Sequence, residues 1–235
     1  ISCNVAFGVL LSIEGVARSV NGGTMAGNII GLNAAGTAAV SNAGGISLDD
    51  VTNVTIGGTT ALERNVISGN EGDGILTDGA AATGVVVQGN YIGTDSTGLI
   101  AKPNLGNGIN GNSTGFKRTS VGSSNPADRN VISGNQDSGI TPNTGDDDWV
   151  IKGNYSGLGS DGLTQLGNSV PFVGPGGLSI DNCSGAIVGG PEVGATNVIS
   201  GNKNFGIYPD NVSGLVIQGN IIGPDWKGEA FDDPV

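Results

Sequence analysis

The hexapeptide Asn65-Val66-Ile67-Ser68-Gly69-Asn70 decides the fold, because it returns twice more along the chain. Its copies occupy residues 130–135 and 197–202, and the segment Ile1-Ser2-Cys3-Asn4 carries the same pattern with Cys3 in place of glycine. The last asparagines of these four segments are 66, 65 and 67 residues apart. So constant a period indicates a structural repeat.

Two further phrases keep the same period in other phases. The phrase Gly-Asn-Ile/Tyr-Ile/Ser-Gly begins at residues 27, 89, 153 and 219, and the segment at residues 53–58 is echoed at residues 186–190. Each repeat contains only short runs of Val and Ile, separated by Gly, Asn and Asp. Such runs are too short for helices and predict strands that end in tight turns.

The period therefore predicts an all-β fold, a parallel β-helix (β-solenoid) whose coils bury side chains against the coils above and below. We divide each period into three coils of about 20 to 24 residues, which predicts roughly ten to eleven coils. These coils are expected to form a single domain over residues 1–235. At about 4.8 Å for each layer of strands, the rod is expected to be roughly 50 Å long.

The composition is that of an ordered, acidic chain. Hydrophobic residues make up 37% of the sequence and charged residues 13%, whereas a disordered chain normally shows the reverse. The net charge is −12 and there is no histidine, so we expect neither a nucleic-acid partner nor attraction to an anionic membrane. No apolar run approaches the ~18 residues of a spanning helix.

Recurring asparagines are expected to hold the coils together. Glycine and asparagine adopt the left-handed backbone conformation that sharp corners require. Stacked amides also hydrogen-bond along an array, as in cross-β ladders. We therefore predict buried amide ladders, and not ligand sites, at Asn70, Asn90, Asn135, Asn154, Asn202 and Asn220.

Candidate catalytic or metal-binding groups are few. The basic pair Lys117-Arg118 is interpreted as a solvated loop rather than an anion site. For the acidic run Asp146-Asp147-Asp148 we favour a solvated loop over a cation or sugar site, because Ca²⁺ needs six to eight converging oxygens. The turn residues Asp95, Asp161 and Asp225 are explained more simply by hydrogen bonds to their own backbone than by weak Ca²⁺ binding.

Four other side chains are assigned structural or neutral roles. Arg64 and Arg129 stand at the same repeat position, which favours a structural surface role, since an active-site base would not recur periodically. Cys3 and Cys183 lie far apart along the array, so free thiols are favoured over an intermolecular disulfide. We predict no catalytic residue, no cofactor and no metal, with Ca²⁺ as the weak alternative.

These repeats resemble those of the right-handed parallel β-helix proteins of the pectate-lyase-like superfamily. They resemble more closely the NVISGN…GNYIGTD arrays of secreted bacterial and archaeal surface proteins. The resemblance covers residues 1–235 and implies a right-handed parallel β-helix. It implies little about function, because the same coils serve in lyases, epimerases, adhesins and passive stalks.

Two functions stay open. Neither end of the sequence shows a capping helix, so we expect the terminal coils to expose strand edges, which subunits stacking head to tail would cover. This favours an extracellular structural protein, a self-assembling filament, stalk or surface-layer subunit, and not an enzyme. The alternative is a polysaccharide-binding or polysaccharide-cleaving β-helix. It requires the residues 146–148, Lys117, Arg118 and Lys152 to converge in one lateral cleft.

Overall fold

The computed structural model describes residues 1–12, 20–79, 82–111, 117–170 and 174–230, and these residues form short strands joined by turns. One short 3₁₀ helix, Pro126–Asp128, interrupts them. In chain order the strands are β1 (Phe7–Leu11), β2 (Val20–Asn21), β3 (Thr24–Met25), β4 (Ile29–Ile30), β5 (Gly44–Asp49), β6 (Val51–Thr52), β7 (Thr55–Gly57), β8 (Val66–Ile67), β9 (Ile75–Asp78), β10 (Val86–Gln88), β11 (Tyr91–Ile92), β12 (Ile109–Gly111), β13 (Ser120–Val121), β14 (Val131–Ile132), β15 (Ile140–Thr141), β16 (Val150–Ile151), β17 (Tyr155–Ser156), β18 (Gly176–Asp181), β19 (Ile187–Gly189), β20 (Val198–Ser200), β21 (Phe205–Asp210), β22 (Val216–Gln218) and β23 (Ile221–Gly223).

The strands build three seven-stranded sheets, and each coil contributes one strand to each sheet. Sheet 1 contains β1, β5, β9, β12, β15, β18 and β21; sheet 2 contains β3, β7, β10, β13, β16, β19 and β22; sheet 3 contains β4, β8, β11, β14, β17, β20 and β23. All neighbouring strands in these sheets pair in parallel. Among the described residues, β2 and β6 form a fourth, two-stranded sheet. The predicted all-β parallel solenoid is confirmed.

Two coils, and not three, make up each period of about 65 residues. In sheet 3, Tyr91 pairs with Val131 and Val131 pairs with Tyr155, so one period is crossed in two steps. The predicted ten or eleven coils are therefore wrong, since each of the three sheets has seven strands among the described residues. The NVISGN and GNYIG phrases both supply strands of sheet 3, on alternate coils, whereas a division into three coils assigns them to different points of a coil. At about 4.8 Å for each layer, seven layers correspond to about 34 Å.

The core lies inside the coils, where inward side chains of successive layers stack in columns. Most residues in these columns are β-branched, because such residues pack well on pleated strands, and Ser156 lies between Ile132 and Ile199 in the sheet 3 column. Burying each such side chain contributes about 1.5–3 kcal/mol. The columns contain Ile46, Ile75, Ile109, Ile140 and Leu178 from sheet 1, Ile56, Val87, Val121, Ile151 and Val188 from sheet 2, and Ile30, Ile67, Ile92, Ile132 and Ile199 from sheet 3.

A second apolar cluster covers the outer face of sheet 3. Long loops at residues 31–40, 93–102, 157–166 and 223–230 follow every second strand of this sheet, and we call them the loop ridge. The first three loops each close through an antiparallel bridge. Beneath the ridge lie the buried side chains of Leu32, Val66, Tyr91, Val131, Tyr155, Leu158 and Val198. Long-turn coils, with a ridge loop, thus alternate with short-turn coils, which carry NVISGN.

Candidate functional site

Two ladders of asparagine amides run through the whole stack of coils. In every step, the Nδ2 of one asparagine donates to the Oδ1 of the asparagine in the next coil, at 2.8–3.1 Å. The first ladder precedes sheet 3 and contains Asn28, Asn65, Asn90, Asn130, Asn154, Asn197 and Asn220. The second follows sheet 3 and contains Asn4, Asn42, Asn70, Asn104, Asn135, Asn168 and Asn202. All six predicted ladder asparagines belong to these two sets.

The hydrogen-bonding capacity of a mid-ladder amide is filled within the protein. The Oδ1 of Asn90 accepts from the backbone N–H and the Nδ2 of Asn65, at 3.2 and 2.9 Å. Its Nδ2 also donates to the carbonyl of Ile56 in the coil below, at 2.8 Å. Buried polar groups are normally paired in this way, which supports the structural interpretation over a ligand site. Sequence reasoning missed the members that lie outside the recurring phrases, such as Asn42 and Asn104.

Both ladders run in one direction, so the two ends of the rod differ chemically. All twelve steps have the donor in the lower-numbered coil and the acceptor in the higher-numbered one. At one end, no described residue donates to the Oδ1 of Asn4 or Asn28. At the other end, the backbone N–H groups of Asn202 and Asn220 have no acceptor among the described residues. The solenoid is a polar rod with an acceptor end and a donor end.

The turn carboxylates of the loop ridge hydrogen-bond their own loops. Asp95 Oδ1 accepts from the backbone N–H groups of Thr97, Leu99 and Ile100 at 3.2–3.3 Å. Burial raises the pKa of Asp95, but the hydrogen bonds from Thr97 and its neighbours outweigh it and hold the pKa below its ordinary value. Asp161 and Asp225 cap their loops similarly. The predicted backbone-capping role is confirmed.

Successive ridge loops touch each other across two layers of the solenoid. The backbone N–H of Ser96 donates to the carbonyl of Gly36 at 3.1 Å, and the N–H of Ser160 donates to the carbonyl of Gly98 at 2.9 Å. The N–H of Trp226 continues the series to the carbonyl of Gly162, the third glycine, at 3.4 Å. Each loop therefore fills the height of two coils, and the ridge is continuous along the rod.

The candidate acids and bases separate into two groups. Lys117 and Arg118 lie at the corner between sheets 1 and 2, where the Nζ of Lys117 is 3.3 Å from the carboxylate of Asp147. A hydrogen bond from Ser184, followed by the proximity of Lys117, holds the pKa of Asp147 below its ordinary value despite partial burial. Lys152 instead pairs with Glu192 at 2.6 Å. The six residues required by the polysaccharide alternative do not form one convergent set.

The acidic run does not behave as one solvated loop. Asp146 is fully buried and accepts a hydrogen bond from the backbone N–H of Asn143 at 3.0 Å, so the prediction is wrong for this residue. Asp148 is exposed and has φ +58°, the left-handed conformation that Gly185 adopts at the same corner of the next coil. The next residue, Trp149, is again fully buried. The run follows a corner of the solenoid, so its side chains pass from buried at Asp146 to exposed at Asp148 and return to buried at Trp149.

The two periodic arginines pack on the second apolar cluster. The guanidinium groups of Arg64 and Arg129 lie 4.2 Å from the ring centroids of Tyr91 and Tyr155 in the next coil. Each also donates through Nε to a backbone carbonyl of that coil. Cation–π contacts of this kind contribute roughly 0.5–2 kcal/mol. The predicted structural role of this position is confirmed.

The two cysteines are free thiols in different surroundings. Cys183 is buried in the inner core, where burial, and then the charge of Asp146, raise the pKa of its thiol to about 11. Cys3 is exposed and has φ +66° at the repeat position that Gly69 holds with φ +73°. Thiolates, rather than thiols, are reactive, so the two side chains differ in chemistry.

The end faces of the rod expose side chains of the core columns. Ile217 and Ile222 occupy the columns of Val188 and Ile199, with which they are in register, yet 44% and 48% of their surfaces are exposed. At the opposite end, Ile1 lies beneath β4 and is 50% exposed. Apolar side chains of this size are normally buried, so the described residues leave these parts of the core columns uncovered.

A lateral polar cluster on sheet 1 was not predicted from the sequence. Asp73 accepts from the backbone N–H and the Nδ2 of Asn107 and from the Nδ2 of Asn110, at 2.6–3.1 Å. The hydroxyl of Thr141 donates to the Oδ1 of Asn107 at 3.2 Å. These side chains come from three coils and do not share a motif, so no sequence signal identified them. Amide, hydroxyl and carboxylate groups together are suited to binding hydroxyl groups of sugars.

Among the described residues, no group of three or more His, Cys, Asp or Glu side chains is placed to hold a metal ion. Within the same residues, no helix is long and apolar enough to cross a membrane. Comparisons with family models, with curated proteins and with solved structures gave no significant match.

Proposed function

We propose that the chain is an extracellular structural β-solenoid, a rod that assembles head to tail into a filament, stalk or surface layer. The observation that carries the proposal is the pair of amide ladders, which run in one direction from the first coil to the last. A rod that is polar in this way has complementary ends, so repeated contacts between copies do not close and give a filament.

Three features support a structural role for the rod. The ladder amides and sheet strands bond every coil to the next, so that each coil is stabilised by its neighbours, as in other solenoids. β21, β22 and β23 each have one edge that no described strand pairs with, and such edges pair readily with further strands. Apolar side chains such as Ile217 and Ile222 lie along the edges at one end.

The handedness of the rod is inferred from a general rule of strand connections, and its extracellular location from the resemblance of its repeats. The rod is right-handed, because connections between parallel strands of one sheet are almost always right-handed. It belongs with the NVISGN repeat arrays of secreted surface proteins, and this resemblance supports an extracellular location.

The experiment is to concentrate the purified chain and follow it by sedimentation velocity and electron microscopy. We expect the sedimentation coefficient to rise with concentration, and unbranched filaments as wide as one solenoid to appear. A chain that stays monomeric at high concentration, with no filaments, contradicts the proposal.

The second candidate function is the binding or cleavage of a polysaccharide on the lateral face. The cluster of Asp73, Asn107, Asn110 and Thr141 favours it. We would titrate acidic and neutral polysaccharides, with and without Ca²⁺, against the chain and its Asp73→Ala variant. Binding or cleavage that disappears in the variant supports this function; an equal response from both forms removes it.

A further inference from the structure

We infer that the rod carries N-linked oligosaccharides on Asn53 and Asn182, two asparagines in the connections from sheet 1 to sheet 2. This inference rests on the proposed extracellular location, because N-glycosylation occurs on surface loops of secreted proteins. It concerns the lateral surface of the rod and does not depend on how copies assemble.

Five Asn-x-Ser/Thr sequons occur in the chain, at Asn53, Asn112, Asn154, Asn182 and Asn211. Asn112 lies outside the described residues, and Asn211 belongs to the last described coil. The other three asparagines have described coils on both sides. The sequence motif does not distinguish these three, whereas the surroundings of their side-chain amides separate them clearly.

The amide of Asn154 has no place for a glycan in the folded rod. Asn154 belongs to the first ladder, and only 1% of its surface is exposed. Its Nδ2 donates to the carbonyls of Val121 and Lys152 and to Asn197 Oδ1, at 2.7, 2.9 and 3.1 Å. A primary amide has two N–H donors, and attachment of a sugar replaces one of them. A glycan here would remove ladder hydrogen bonds and place a bulky polar group in the interior.

The amide of Asn53 has room for a glycan. Asn53 is exposed, and its Nδ2 makes one hydrogen bond to the described residues, to Asn21 Oδ1 at 3.0 Å. One N–H therefore remains for this bond after a sugar replaces the other. In the next coil, Thr83 pairs with Thr52, which places Gly84, with φ +68°, beside Asn53. Because glycine has no side chain, this neighbour leaves space around the amide.

The amide of Asn182 is even less constrained. Asn182 is exposed, and its Nδ2 has no acceptor among the described residues. Its Oδ1 accepts from the Nδ2 of Asn211 at 2.7 Å. A sugar attached to Nδ2 leaves this acceptor unchanged. Asn53 and Asn182 therefore keep their contacts when they are modified, whereas Asn154 loses its own.

The modification exchanges one bond for another. The Nδ2 of the asparagine attacks the anomeric carbon of an oligosaccharide that is joined through pyrophosphate to a lipid carrier. The N–C bond forms as the C–O bond to the pyrophosphate breaks, the amide nitrogen loses one proton, and the lipid pyrophosphate leaves. A transferase of the producing cell catalyses this step, so the rod is its substrate. The bulky, hydrophilic glycans add to the solvated exterior of the rod.

The test is mass spectrometry of peptides from the folded rod, purified from the cells that naturally make it. We expect oligosaccharides on Asn53 and Asn182 and an unmodified Asn154. Thr55→Ala and Ser184→Ala each destroy one sequon and keep its asparagine. Made in the same cells, each variant should lose the glycan at its own site and keep the other. Thr55→Ser preserves the sequon and should keep both glycans, and far-UV circular dichroism verifies that all variants are folded.

The outcomes separate the inference from the proposed function. An unmodified Asn53 or Asn182 in the secreted rod overturns the inference, and so does a glycan on Asn154 of the folded rod. The proposed assembly is unaffected by these results, because sedimentation measures it separately. A rod that stays inside the cell without glycans overturns both the inference and the proposed location.

Discussion

The substitution Asn104→Ala tests whether the ladders stabilise the rod. Asn104 is fully buried in the middle of the second ladder. Its Oδ1 accepts from the backbone N–H and the Nδ2 of Asn70 at 3.2 and 2.8 Å. Its Nδ2 donates to Asn135 Oδ1 and to the carbonyl of Ile67, both at 3.0 Å. Alanine removes all four hydrogen bonds and leaves buried polar partners behind.

The expected loss follows from these four bonds. Each contributes about 1 kcal/mol net, so we expect the free energy of unfolding to fall by about 4 kcal/mol. The matched control is Asn28→Ala at the end of the first ladder. That variant loses two side-chain bonds, to Asn65 and Ala26, in a partly exposed site. We expect the control to lose about 1–2 kcal/mol.

Urea-induced unfolding followed by far-UV circular dichroism measures the difference between the two variants. Hydrogen exchange at residues 67–70 detects opening of individual coils, which solenoids permit. If Asn104→Ala and Asn28→Ala lose the same stability within about 1 kcal/mol, the ladder does not stabilise the rod as we argue.

Three further predictions concern a corner, a carboxylate pair and the two thiols. Asp148→Gly should raise the free energy of unfolding by about 1 kcal/mol, because φ +58° is strained for aspartate; an unchanged or lower urea midpoint contradicts this. Burial, and then the charge of Asp210, raise the pKa of Asp181 above its ordinary 3.8, so the folded chain favours the protonated carboxyl. The stability that Asp181 contributes is therefore present at low pH and is lost as the pH rises through the raised pKa. Asp181→Asn should therefore stabilise the chain at pH 7 and lose this advantage below pH 3.8, which thermal melts at both pH values measure; equal melting temperatures at pH 7 refute it. In dilute native protein at pH 8, a thiol reagent should modify Cys3 and spare Cys183, whose pKa is about 11; rapid reaction of both thiols without denaturant argues against the buried site.

The repeat was sufficient to predict the fold class, and the Gly-Asn pairs were sufficient to predict the ladders. Both follow from local chemistry, since short β-branched runs form strands and asparagine suits a stacked corner. The number of coils could not be counted in this way. Val66 and Tyr91 are only 25 residues apart and Tyr91 and Val131 are 40 apart, yet all three are paired neighbours in one sheet. Loops of unequal length conceal this equivalence in the sequence.

The candidate site was less predictable, because side chains that meet in space come from separate coils. Asp146 is an ordinary acidic residue in the sequence, and only the course of the corner places it in the interior. Asp73, Asn107 and Thr141 share no motif, although they are joined by hydrogen bonds.

We propose that copies of the rod assemble head to tail, all with the same polarity. Averaging of electron micrographs of the filaments shows whether successive subunits point in one direction. We predict filaments in which all subunits have the same polarity, with a strand spacing near 4.8 Å along the axis. A pattern of head-to-head pairs, or the lack of any filament, would contradict the proposed assembly.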